Sequence, residues 1–74
     1  MEFGVVKYDN STYTVFQEPH LDKKTGKVQA VVADSRNKPH IAYFNDIDSS
    51  EVYSVIPIKG FDDINDVITF FHIK

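Results

Sequence analysis

The residues with chemistry to offer are three histidines, eleven carboxylates and eight cationic side chains. His20, His40 and His72 are spread through the chain. If the loops around His20 and residues 45–51 met at one end, His20 and His72 with Asp46 and Asp48 would form an imidazole–carboxylate set of the kind that holds a transition metal. Histidines near loop and chain ends are ordinarily solvated, so no metal is expected. The run Asp46-Ile47-Asp48-Ser49-Ser50-Glu51 begins like a calcium-binding loop. Such a loop needs glycine at its sixth position and glutamate at its twelfth, where this chain has Glu51 and Pro57. Lys24-Thr25-Gly26 spells the KTG triplet of penicillin-binding enzymes without the SxxK and SDN partners that make it catalytic. Cysteine is absent, and so is any phosphate loop, dinucleotide fingerprint or nucleophile elbow. The chain is therefore expected to be no enzyme and to need no cofactor.

Charge narrows the partners. The net charge is −3 and unevenly spread. Residues 1–40 hold six Lys/Arg against five Asp/Glu, and residues 41–74 hold two against six. Lys23, Lys24, Lys27, Arg36 and Lys38, with the aromatic residues near them, would suit a nucleic-acid-binding small β-barrel. That is the alternative function, and the acidic balance argues against it. Asp62, Asp63 and Asp66 form an acidic group that would suit a partner presenting a basic surface. No run approaches the roughly 20 apolar residues that span a bilayer, and the N-terminus lacks the cationic and apolar regions of a signal peptide. A cytoplasmic protein is expected, so the acceptor pattern Asn10-Ser11-Thr12 carries little weight.

The apolar composition dictates the elements. Nine Val, seven Ile, six Phe and four Tyr stand against one Leu and three Ala. Branched and aromatic side chains suit a pleated sheet and disfavour helix. Strands are predicted at Phe3–Tyr8, Tyr13–Gln17, Val28–Ala33, Ile41–Phe44 and Val52–Ile58, with Pro19 closing the second and Pro57 marking an edge or an end. Phe61, Ile64, Val67, Ile68 and Phe71 change the period to that of a helix. Low propensity leaves a sixth strand over residues 67–73 as the alternative. The expected fold is one α+β domain over residues 1–74: an antiparallel β-meander of about five strands with one C-terminal helix packed on the sheet. A small SH3-like or OB-like barrel is the alternative.

Val28–Phe44, the expected centre, is apolar on both faces. Val28, Ala30 and Val32 oppose Val31 and Ala33, and Ile41 and Tyr43 oppose Ala42 and Phe44. One short helix covers only one face. The other must be covered by curling of the sheet, by the N-terminal hairpin, or by another chain. This need for cover makes a non-catalytic protein–protein interaction domain the expected function. It would be a small regulator or inhibitor acting by surface occlusion, with homodimerisation a further option. Tyr43, Tyr53 and Val55 are the expected apolar contacts, and Asp62, Asp63 and Asp66 the charged ones.

Overall fold

A computed structural model describes residues 3–73. The chain forms β1 (Val5–Tyr8), β2 (Ser11–Val15), β3 (His20–Asp22), β4 (Lys27–Ala33), β5 (Pro39–Phe44), β6 (Val52–Pro57) and α1 (Ile64–Phe71). All pairings are antiparallel, in the order β1-β2-β4-β5-β6, with β3 also on β4. The expected meander with a terminal helix is present, β4–β5 lies at its centre, and residues 64–71 are helical. The edge strands β1 and β6 approach each other but are not hydrogen-bonded neighbours. The sheet is curled and open, not a closed barrel.

The strand absent from the sequence reading is β3. It pairs His20, Leu21 and Asp22 with Gln29, Val28 and Lys27, while β2 pairs Thr14 and Val15 with Ala33 and Val32. Both therefore lie along the same side of β4. Between them Phe16-Gln17-Glu18-Pro19 stands opposite only Ala30 and Val31, a wide bulge. Its hydrogen bonds are made good locally. Phe16 N–H donates to the Val31 carbonyl at 2.9 Å, and Val31 N–H donates to Gln17 Oε1 at 2.9 Å. Pro19 thus interrupts a strand rather than ending it.

The turns follow from their residues. Tyr8 pairs with Ser11, leaving a two-residue turn in which Asp9 and Asn10 have φ of 50° and 66°. Positive φ at both positions is what a type I′ hairpin requires, and Asp and Asn tolerate it. The strand thus resumes at Ser11, two residues earlier than predicted. In the β4–β5 loop, Asp34 Oδ1 accepts from Arg36 N–H at 2.8 Å and from Lys38 N–H at 2.9 Å. Partial burial opposes the charged carboxylate. The two N–H donors, with His40 and Arg36 nearby, outweigh it and hold Asp34 below the ordinary aspartate range.

The two apolar faces are each filled. Inside the curl lie Val6, Val15, Ala30, Val32, Ala42 and Phe44, with Tyr13, Val28, Val52 and Val55 packed around them. Ala30 sits opposite Ala42, so the smallest side chains occupy the centre of the concave face. On the convex face Val31 and Ala33 meet Ile64 and Val67 of α1, joined by Phe16, Ile41, Ile58, Phe61, Ile68 and Ile73. Curling of the sheet thus supplies the second cover, from β1 and β2.

Two stability tests follow. Gln17→Leu leaves Val31 N–H without its acceptor, and urea unfolding is expected to show a loss of about 1–2 kcal/mol. Because the Asp34 pKa is depressed on folding, its contribution is complete above the unfolded-state value. It is lost as pH falls through the folded-state one. Asp34→Asn is therefore expected to lower the melting temperature at pH 7 and to narrow that deficit in acid, as thermal melts across pH 2–7 would record.

Candidate interaction surface

Helix α1 is positioned by its two ends. Asp63 is the N-cap, with its carboxylate accepting from Asn65 N–H at 2.8 Å. Ile64 N–H reaches across to the Asn37 carbonyl at 2.7 Å, which ties the helix start to the β4–β5 turn. At the other end His72 adopts the left-handed conformation, φ 54°. Ile73 N–H then returns to the Ile68 carbonyl at 3.0 Å. This is a Schellman closure, with Ile73 and Ile68 supplying its usual apolar contact.

The helix covers only part of the convex face. Past its C-terminal end lies a groove of about 430 Å³ whose floor includes Val31 and Ile41, with Phe71 and Ile73 on the helix side and Gln17, His20 and Gln29 as polar rim. Phe71 is 57 % exposed and Phe70 66 % exposed. The two rings lie 4.9 Å apart, and both contact Phe61. From the groove the apolar surface continues along the sheet. Ile41 sits opposite Ile56, which is 45 % exposed. Next comes Tyr43, whose ring lies 6.3 Å from that of the exposed Tyr53. Lys27 Nζ closes this end at 5.0 Å above the Tyr43 ring, a cation–π geometry.

A register shift explains why the two tyrosines meet. The bulge in β6 opposite Tyr43 and Phe44 lets both Val52 and Val55 pack into the concave core and turns Tyr53 outward. Unbroken alternation along Val52–Pro57 would put Tyr53 and Val55 on one face, and the bulge breaks it. Val55 pairs with Ala42 inside the curl, so it stands apart from Tyr43 and Tyr53. Of the expected contact residues, the tyrosines are together, and Asp62, Asp63 and Asp66 gather at the start of α1. The sequence reading missed Ile56, Phe70 and Phe71. Phe71 shares the helical spacing of Ile64 and Val67, yet of α1 only those two are fully buried.

Together Tyr53, Ile56, Phe70 and Phe71 expose on the order of 400 Å² of side chain, at about 200 Å² for a large apolar residue. That is within the range of the largest apolar patch on a typical monomer, which is often functional. A smaller opening of about 260 Å³ lies at the other side, lined by Phe3, Val5 of β1, Ile47 and Asp48 among others.

The histidines serve local structure. His20 Nδ1 lies 3.2 Å from the Glu18 carbonyl, His40 Nδ1 lies 2.9 Å from that of Lys38, and His72 closes the helix. Among the described residues no three His, Cys, Asp or Glu side chains converge, and no helix is long and apolar enough to cross a membrane. Compared with protein-family models, curated proteins and solved structures, the chain matches none.

The acids at the helix start differ in role. Asp63→Ala removes the N-cap and is expected to cost about 1 kcal/mol in denaturant unfolding. Asp62→Asn, lying outside the helix, is expected to stay within about 0.5 kcal/mol of the wild type.

Proposed function

We propose that this chain is a non-catalytic protein–protein interaction domain, a small cytoplasmic regulator or inhibitor that acts by occluding a surface of its partner. The observation that carries this reading is the convex strip from Tyr53 to Phe70. Tyr53, Ile56, Phe70 and Phe71 are large apolar side chains left about half exposed or more, outside the fully buried residues of both cores. Aromatic groups at the centre of a desolvated contact carry most of the energy of such interfaces. Asp62 and Asp66, exposed beside the strip, would meet a basic region on the partner, steering encounter and fixing register.

The nucleic-acid alternative draws support from Lys27 lying over Tyr43 on the same face as the exposed aromatics. Lys23 and Lys24 stand in the turn just before Lys27, so the positive charge gathers at one end. Arg36 lies by Asn10–Tyr13 at the far end of the sheet, so no basic stripe tracks the aromatic strip as a phosphate backbone would need.

Capture from native lysate with three versions of the chain tests the assignment. The wild type and a Val5→Ser control are expected to retain the same partner, and a Tyr53→Ser/Phe71→Ser variant is expected to lose it while melting cooperatively. Equal capture by all three would refute the surface. Salt-sensitive binding of a single-stranded oligonucleotide at low ionic strength would favour the alternative.

A further inference from the structure

Two hydrogen bonds of different purpose meet at one peptide unit in the β4–β5 turn. Lys38 N–H donates to Asp34 Oδ1 at 2.9 Å, and the Asn37 carbonyl accepts from Ile64 N–H at 2.7 Å. Both groups belong to the 37–38 peptide, a planar trans unit whose N–H and C=O point opposite ways. Holding the N–H against Asp34 therefore aims the carbonyl at the helix. The rest of the turn supports this setting. Arg36 N–H shares Asp34 Oδ1 at 2.8 Å, and Asn37 N–H donates to the Asp34 carbonyl at 3.0 Å. Asp34 N–H returns to the Lys38 carbonyl at 3.1 Å, with Asn37 held at φ 62°. Ile64 is the first residue of α1, where N–H groups have no partner within the helix. Among the described residues, its bond to Asn37 is the one hydrogen bond between α1 and the sheet or its turns.

We propose that Asp34 is the latch of α1: its carboxylate sets the 37–38 peptide that anchors Ile64, so turn and helix open together, apart from the concave core. A charged acceptor polarises the peptide it binds, and the carbonyl on the far side of that peptide then accepts more strongly. The negative end so presented meets the positive end of the helix dipole. Ala33, the last residue of β4 and the neighbour of Asp34, packs with Ile64 and Val67. One short stretch of chain thus holds the helix by contact and by hydrogen bond. The concave core has no share in this, since its residues lie on the other face. Opening of the latch releases Phe70 and Phe71, which α1 carries, from their place beside the sheet. That consequence for binding rests on the convex strip being a contact surface; the latch itself does not.

Native-state hydrogen exchange of the full chain tests the latch, with amides of Ile68–Phe71 reporting α1 and those of β4 and β5 reporting the sheet. In Asp34→Ala the bonds removed are ones that neither the helix-open nor the unfolded state contains. Helix amides are therefore expected to exchange about tenfold faster, and sheet amides by the same factor, for the loss of a charge-assisted hydrogen bond. Helix amides at wild-type rates beside accelerated sheet amides mean that the turn survives helix opening, which overturns the latch. If Asp34→Ala does not fold, Asp34→Asn keeps the shape, removes the charge and has the same two outcomes. Val15→Ala, in the concave core, is expected to accelerate the sheet amides and leave those of α1 unchanged. Equal acceleration of both would mean that α1 opens only with the whole fold, which also overturns the proposal. If Tyr53→Ser/Phe71→Ser captures a partner as well as the wild type while Asp34→Ala speeds the helix amides, the contact surface fails and the latch stands.

Discussion

The hydrogen bond from Val31 N–H to Gln17 Oε1 is the constraint on which the architecture depends. Four residues of one strand oppose two of the next, which would leave a backbone donor unpaired in the sheet's most buried strand. An unsatisfied donor there would cost as much as several favourable contacts return. The Gln17 amide takes the place of the missing backbone carbonyl, and the chain can bend without losing its partner. On one side of that bend Val15 enters the concave core. On the other Phe16 packs beneath the helix. A single irregularity therefore supplies side chains to both layers.

Curling has a steric condition as well as a hydrogen-bonding one. Three strand positions are alanine, Ala30 and Ala42 facing each other inside and Ala33 at the end of β4 beneath α1, all essentially without exposure. Small side chains at these points let β1 and β2 close over the inner face and let the helix approach the outer one. Valine and phenylalanine around them fill the remaining volume. A chain of this length buries only about 60% of its unfolded surface, so it has little margin for a cover that does not fit.

The sequence made legible whatever depends on side-chain period and turn chemistry. The central hairpin, the antiparallel order, the helix over residues 64–71 and the edge position of β6 all come from alternation, from the spacing of Phe61 to Phe71, and from Pro57. Illegible were the features set by register. A three-residue strand such as His20–Leu21–Asp22 has too few positions for alternation to show. Pro19 reads as a stop unless the Gln17 cap is known. The bulge that reverses Tyr53 relative to Val55 leaves no mark in composition. For the surface, the tyrosines were visible as aromatic residues on strands. Phe70 and Phe71 were not, because a stripe at helical spacing does not say how far the sheet beneath extends. The close of the helix was hidden as well, since His72 occupies a left-handed position where glycine is usual.

The brevity of α1 has a dynamic meaning. Eight residues are too few to hold helical structure in water without tertiary support, and this one rests chiefly on Ile64 and Val67 against Val31 and Ala33. The concave core draws on none of them. The helix is therefore expected to open more readily than the curled sheet, its amides exchanging with solvent before those of β4 and β5. Phe70 and Phe71 ride on that unit. The part of the surface richest in apolar area is also the least firmly held, so a contact made there would be weakened by the entropy lost in ordering the helix beneath it.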